Sequence, residues 1–131
     1  MISQITQETR VEPQTLDIGR LDAKVRVRTR DLRAVDPVGG RVVVTKEKAA
    51  WTTPALRVRK RVGGQLVDFA TAITIDAPSG SGDSVELPAD ELRGDIEIVV
   101  DASAVESGAV ASVAFEFDYP AERRGAAVAV G

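Results

Sequence analysis

The sequence contains neither cysteine nor histidine among its 131 residues. These residue types supply the thiol nucleophile, the imidazole base and nearly all protein ligands of zinc, so most familiar catalytic sites and zinc sites are excluded. A disulfide-stapled scaffold is excluded as well. Aromatic residues make up only 4%, and no apolar run approaches the roughly 20 residues of a membrane helix. We therefore expect a non-enzymatic protein with no cofactor and no membrane partner.

The clearest structural signal lies between residues 55 and 76. Gly63-Gly64 separates two runs of alternating residues, which predicts a β-hairpin with a two-residue turn, because such a turn needs positive φ angles. The residues expected on the core face of this hairpin are Leu56, Val58 and Val62 on the first arm, and Phe69, Thr71, Ile73 and Ile75 on the second. The opposite face of the first arm carries arginines, so it is available to solvent or to a partner.

Three further segments alternate in the same way, and shorter strands are predicted at residues 41–47 and 84–87, with one helical turn at 88–92. The inward residues of the three segments are Leu21, Ala23, Val25, Val27 and Thr29; Ile96, Ile98 and Val100; and Ala109, Ala111, Val113, Phe115, Phe117 and Tyr119. Pro13 is expected to interrupt any regular strand near the N-terminus.

About seven to eight short strands, with no amphipathic helix to cross over between parallel strands, predict an all-β protein. The expected fold is a single antiparallel β-sandwich or a jelly-roll-like barrel. Residues 20–119 are expected to form this domain, with residues 1–19 as an N-terminal arm or edge strand. Residues 120–131 are expected to form a C-terminal tail, because they are rich in small residues and lack a core pattern.

The net charge of −3 conceals a strong segregation of charge along the chain. Between Arg20 and Arg61 lie 13 of the 17 basic residues, whereas 13 of the 20 acidic residues follow Arg61. Three interpretations remain open: cross-strand ion pairs within one sheet, an anionic partner, and packing of a basic face of one copy on an acidic face of the next. We expect the hairpin arginines to meet carboxylates between Asp95 and Asp118, within one subunit or across an interface.

A candidate interaction surface follows from this charge pattern, and the terminal segments supply candidate arm contacts. The surface residues are Arg26, Arg28, Arg57, Arg59, Arg61 and Trp51, and the arm contacts are Ile2, Ile5, Val128 and Val130. Nucleic acid is not an expected partner, because no aromatic residue lies among these arginines to stack on bases.

The single tryptophan is interpreted as a core-edge anchor in preference to a stacking platform. No metal is expected, since the spacing of Asp76, Asp83 and Glu86 matches no EF-hand loop.

The succession of strands from Leu56 to Tyr119 resembles small β-sandwich structural proteins of tailed-bacteriophage virions. Its segments are LRVRKRV, a glycine turn, FATAITI, SVELP, DIEIVVDAS and ASVAFEFDY. In head decoration proteins and other auxiliary capsid or tail proteins of this class, a single sandwich binds the shell through its face or a terminal arm. The resemblance implies a virion component, synthesised in the host cytoplasm, whose partners are further copies of itself and a major capsid or other virion protein. The alternative is a ligand-binding sandwich such as a carbohydrate-binding module, with Trp51 or Tyr119 as its platform.

Overall fold

The computed structural model describes residues 7–31, 34–48, 56–76, 82–103 and 108–120, and across these ranges the protein is built from β-strands. The strands are β1 (Gln7–Asp17), β2 (Lys24–Arg28), β3 (Gly39–Lys48), β4 (Leu56–Val62), β5 (Gln65–Val67), β6 (Ile73–Ile75), β7 (Asp83–Leu87), β8 (Glu97–Ala102) and β9 (Val110–Pro120). The predicted helical turn is a 3-10 turn at Ala89–Glu91. The all-β prediction is confirmed.

The strands form two antiparallel sheets that pack together as a β-sandwich. Sheet A has the order β1-β9-β3-β7, and sheet B has the order β2-β8-β4-β5, with β6 also paired to β4. The sheets do not close into a barrel, so the sandwich form of the predicted fold is the observed one.

The pairing of strands is nested around the predicted hairpin. β4 pairs with β5, β3 with β7, β2 with β8 and β1 with β9, all antiparallel. The chain thus resembles one long ribbon that turns back at Gly63-Gly64 and is then rolled into two sheets, which is the strand order of a jelly roll. The φ angles of the two glycines are 58° and 84°, as the two-residue turn requires.

The core lies between the two sheets, and the predicted inward residues in and next to β8 and β9 supply a large part of it. Every inward residue from Ala109 to Tyr119 is buried, as are Ile96, Ile98 and Val100. β9 is a central strand of sheet A, between β1 and β3, and its apolar face is buried in the core along its whole length. Each fully buried aliphatic or aromatic side chain stabilises the fold by roughly 1.5–3 kcal/mol, and this face is therefore a main source of stability.

Pro13 does not interrupt the N-terminal strand, and that expectation was wrong. It lies within β1, opposite Ala114, on the edge of sheet A. Ile18 N donates to Ala109 O, so the even-numbered residues of β1 form the hydrogen-bonded pairs with β9, and the odd-numbered residues of β1, including Pro13, do not. The nitrogen of Pro13 therefore points to the open edge, where no donor is needed.

The strand predicted to begin at Leu21 begins at Lys24 instead. Leu21 is 79% exposed in the connection between β1 and β2 and does not face the core. Two turn hydrogen bonds, Arg20 N to Asp17 O and Ala23 N to Arg20 O, carry the chain from sheet A to sheet B here. Asp22 has a φ of 60° in this turn. The change from sheet A to sheet B over residues 18–23 interrupts the alternation that the sequence suggested.

The second arm of the central hairpin is two short strands, where one continuous strand was predicted. Residues 68–72 oppose Arg59 alone, because Val67 pairs with Lys60 and Ile73 pairs with Val58. Phe69 and Ile75 are buried and Ile73 is partly buried as expected, but Thr71 is exposed. Val62 is 43% exposed, since the pairing of β4 with β8 ends one residue before it.

The 3-10 turn holds this interruption in place. Glu91 accepts hydrogen bonds from Lys60 Nζ at 2.9 Å and from Ala70 N at 3.1 Å. These contacts lower the pKa of Glu91, with the Lys60 hydrogen bond as the larger cause. Lys60 Nζ also lies 5.3 Å from the centre of the Phe69 ring. This lysine lies on the core side of β4, and its charge is stabilised there by the Glu91 carboxylate and by the face of the aromatic ring.

Candidate functional site

Most residues of the predicted interaction surface lie on the outer face of sheet B. β8 lies between β2 and β4, so acidic side chains separate two rows of basic ones. The residues of this surface, called the basic face below, are Lys24, Arg26 and Arg28 on β2, Glu97, Val99 and Asp101 on β8, and Arg57, Arg59 and Arg61 on β4. Trp51, the sixth predicted surface residue, lies outside the described residues, as do the predicted arm contacts Ile2, Ile5, Val128 and Val130.

The hairpin arginines meet carboxylates within the same subunit, as expected. Arg57 Nη2 lies 2.6 Å from Asp101 Oδ2, and Arg59 Nη2 lies 3.0 Å from the same oxygen. Arg61 Nε lies 3.4 Å from Glu97 Oε1. These cross-strand pairs explain how a row of like charges is tolerated on one strand.

One apolar residue lies beneath the arginines. Val99 is fully buried although it points to the outer side of sheet B, between Arg26 and Arg59. The Nε atoms of Arg57, Arg59 and Arg61 are also buried and form no hydrogen bond in the described part of the chain, since the contact of Arg61 Nε with Glu97 is an ion pair only. Arginine stems that lie flat on the sheet account for both observations, because their methylene groups cover apolar surface while the charged ends reach solvent.

The β2 side of the basic face is less completely paired. Arg28 forms an ion pair with Asp95, which raises the pKa of Arg28 through a hydrogen bond and through charge attraction. Lys24 and Arg26 are exposed, and neither side chain has a hydrogen-bond or ion-pair partner among the described residues. The face therefore retains positive charge that internal pairs do not neutralise.

The outer face of sheet A carries the opposite charge. Arg41 on β3 donates to Asp118 Oδ2 at 2.5 Å and to Glu116 Oε1 at 3.1 Å on β9, and to Glu86 Oε2 at 3.3 Å on β7. Asp118 also accepts a hydrogen bond from the Thr9 hydroxyl at 2.7 Å. The hydrogen bonds from Thr9 and Arg41 lower the pKa of Asp118, and the same carboxylates raise the pKa of Arg41. We call the surface of Arg41, Glu86, Glu116 and Asp118 the acidic face.

Sequence reasoning missed Arg41 as a surface residue. Its outward position follows from the burial of Val42 and Val44, but the pairing of β3 with both β7 and β9 cannot be read from local alternation. Glu116 and Asp118 alternate with the predicted inward residues Phe115, Phe117 and Tyr119, and they point outward on the opposite side of the molecule from the hairpin arginines. The carboxylates that meet those arginines come from β8 alone.

Three side chains of sheet A donate hydrogen bonds to backbone carbonyls in and directly after β2, an edge strand of sheet B. Arg10 Nη2 donates to the Arg28 carbonyl at 2.6 Å, and Gln14 Nε2 donates to the Arg26 carbonyl at 2.7 Å. The Tyr119 hydroxyl donates to the Thr29 carbonyl at 2.5 Å. Thr29 directly follows β2, and the carbonyls of Arg26 and Arg28 lie at the open edge of sheet B, because β2 has a paired strand only on its β8 side. Side-chain donors at such positions protect an edge strand from pairing with another chain.

The four aromatic residues that the structure describes belong to the core. Phe69, Phe115, Phe117 and Tyr119 are all at most 3% exposed. Arg10 lies over the Phe117 and Tyr119 rings, at 5.4 and 5.5 Å from their centres. Tyr119 is therefore not available as a ligand platform, and that part of the alternative prediction was wrong. The described ranges expose no aromatic face on which a sugar or a base would stack.

The described residues offer little for chemistry. Two shallow depressions of about 370 and 210 Å³ flank the turn at residues 20–23, and both are open to solvent. No group of three or more acidic side chains is placed to hold a metal ion within the described ranges. Glu86, one of the acids considered for calcium, is instead bound by Arg41. The described part of the chain also has no helix long and apolar enough to cross a membrane.

Comparison with known proteins adds no relatives. No protein-family model matches the sequence, and a search of curated proteins finds no similar chain. The two charged faces, the closed β2 edge and the ends of the described chain are therefore the features on which a functional assignment depends.

Proposed function

We propose that the protein is a non-enzymatic structural component of a tailed-bacteriophage virion, a capsid decoration protein or an auxiliary head or tail component. It acts through self-association and through contact with a shell of major capsid protein or another virion protein. The observation that carries this proposal is the register of β1 with β9. Gln7 pairs with Pro120, so both ends of the described chain leave sheet A side by side at one corner.

That corner gives the two terminal segments a common origin. Residues 1–6 and 121–131 continue from adjacent points, and they contain the candidate contacts Ile2, Ile5, Val128 and Val130. An extended segment of 11 residues reaches up to about 36 Å. A compact domain of this size has a radius of gyration of about 14 Å, so such an arm spans a neighbouring subunit. Two arms from one corner suit attachment to a shell better than they suit a ligand cleft.

The strand order is compatible with the same proposal. Double-sheet jelly rolls occur in viral capsid proteins, and they occur in lectins too, so the fold does not choose between the two functions. The arrangement of side chains favours the structural role. A carbohydrate-binding module needs an exposed aromatic platform, and four of the five aromatic residues are buried. The alternative now depends on Trp51, which lies outside the described residues.

Light scattering coupled to size-exclusion chromatography tests the self-association that this function requires. The full chain is expected to form oligomers, and a variant ending at Pro120 is expected to form smaller ones or to be monomeric. Equal melting curves for the two proteins serve as the control, because the truncation removes no described strand. A strictly monomeric full chain whose binding to a glycan array is lost in Trp51→Ala would instead establish the ligand-binding alternative.

A further inference from the structure

We propose that copies of this protein stack head to tail, with the basic face of one copy on the acidic face of the next. The inference rests on the proposed function, because it names the surfaces through which a self-associating virion protein meets itself. A contact between two different faces of identical subunits is heterologous, so it propagates into a ring or an open stack and does not stop at a dimer.

The two faces carry opposite excess charge. On the basic face six cationic side chains are accompanied by three acidic ones, the third being Asp95 beside Arg28. On the acidic face Arg41 alone is surrounded by Glu86, Glu116 and Asp118. Since the two outer faces of a sandwich point in opposite directions, each copy is electrically polar along the axis that crosses its sheets. Complementary potentials of this kind steer and orient association.

Each face also presents charged groups that the fold itself leaves available. Arg26 and Lys24 are exposed and have no side-chain partner among the described residues. On the other face the Glu86 side chain is 74% exposed, whereas that of Asp118 is 13% exposed. A second copy can therefore pair with Arg26, Lys24 and Glu86 without breaking the buried parts of the internal networks.

The geometry of the faces predicts a weak contact. In both sheets neighbouring strands are about 4.8 Å apart and residues on the same side of a strand are about 6.6 Å apart, so the charges of the two faces have matching spacings. A face four strands wide and about five residues long covers roughly 330 Å². A standard interface buries about 800 Å² on each partner, so the stacked contact is salt-sensitive and depends on a second attachment such as the arms.

A second copy fits the basic face better than nucleic acid does. Single-stranded nucleic acid binders combine positive charge with aromatic side chains for base stacking, and the described residues expose no aromatic face. The excess of only three positive charges is also modest, and the acidic face of another copy offers an excess of two negative charges, of opposite sign and at a similar strand spacing.

Sedimentation velocity of the full chain at two salt concentrations tests the stack. The Debye length is about 10 Å at 0.1 M salt and about 3 Å at 1 M, so association through the faces should be present at the lower concentration and weakened at the higher. Arg26→Glu and Glu86→Lys should each weaken it about tenfold or more, because each places like charges opposite one another. The matched control is Arg93→Glu, an equal charge change at an exposed residue in the turn before β8.

Mixing the two face variants tests the head-to-tail arrangement directly. Arg26→Glu retains an intact acidic face and Glu86→Lys retains an intact basic face, so an equal mixture should associate again where each variant alone does not. A mixture that stays dissociated overturns the proposal, as does a wild-type chain that is monomeric at 0.1 M salt. Arg26-dependent binding of a single-stranded oligonucleotide by a monomer would also overturn it, since the face would then serve nucleic acid.

The outcomes for the stack and for the proposed function can be told apart. Wild-type association that neither face variant weakens overturns the stack and leaves a virion role through the arms standing. Absence of the chain from purified virions contradicts the proposed function, whatever the face variants do.

Discussion

Replacing Arg41 with methionine removes the cation that holds three carboxylates of sheet A together. Arg41 is 26% exposed at its side chain, and it donates to Asp118, Glu116 and Glu86 from three different nitrogen atoms. Methionine has a stem of similar length, so it retains packing while it loses every donor. Asp118 and Glu116 then lie on one strand without their counter-charge.

The cost follows from the exposure of each partner. Asp118 is 13% exposed, and a hydrogen bond between charged groups in such a place contributes about 1.5–3 kcal/mol. Glu116 is 27% exposed and contributes about 0.5–1 kcal/mol, while Glu86 at 74% contributes almost nothing. Solvent screening reduces the sum, so we expect Arg41→Met to lower the free energy of unfolding by about 2–3 kcal/mol, or the melting temperature by about 10 °C.

Urea unfolding followed by circular dichroism measures this change. Glu86→Gln is the matched control, and it should change the free energy of unfolding by less than about 0.5 kcal/mol because the removed partner is exposed. A double-mutant cycle of Arg41→Met with Asp118→Asn isolates the central pair, for which we expect a coupling of about 1–2 kcal/mol. If Arg41→Met lies within about 0.5 kcal/mol of the wild type, the acidic face is not the ordered network described above.

The pH dependence gives an independent check. The pKa of folded Asp118 lies below its ordinary value, because the Thr9 hydroxyl and Arg41 stabilise the carboxylate. Its contribution to stability is therefore complete above the unfolded pKa of about 4 and is lost as the pH falls through the folded pKa. The difference in stability between wild type and Arg41→Met should be constant from about pH 5 to 8 and should shrink below about pH 4.

Two further substitutions test the packing between and within the sheets. Tyr119→Phe should lower the free energy of unfolding by about 1–2 kcal/mol in urea titrations, because the Thr29 carbonyl loses a buried donor. An unchanged midpoint would show that this contact directly after β2 does not stabilise the packing of the two sheets. Gly40→Ala should lower the free energy of unfolding by about 1–3 kcal/mol, because the added Cβ would lie 2.7 Å from Phe117 Cδ1. Gly39→Ala should leave the melting temperature nearly unchanged, because its Cβ would contact only Asp118 Oδ2, at 3.5 Å. Equal effects at the two glycines would contradict this packing.

Much of the fold could be predicted because alternation is a local property. The inward faces of β8 and β9 and the turn at Gly63-Gly64 follow from side-chain period and glycine chemistry, which do not depend on distant residues. The errors lie where distant contacts override the local pattern. Leu21 continues an alternating run in sequence, yet the chain changes sheets there, and Pro13 is accommodated because β1 is an edge strand.

The candidate surface was predictable only as a set of outward residues. The outward direction of Arg57, Arg59 and Arg61 follows from the hairpin, and their need for carboxylates follows from their number. That β8 separates them from Arg26, and that Arg41 faces the other side of the sandwich, depends on strand order. Strand order is set by long-range pairing, which local alternation does not encode.

Peptide mass spectrometry of purified virions from the genome that encodes this chain tests the central claim most directly. The proposed function predicts that the chain is present in the particles at a constant ratio to the major capsid protein, through repeated purification. A chain that is expressed during infection but is absent from purified particles would contradict the account.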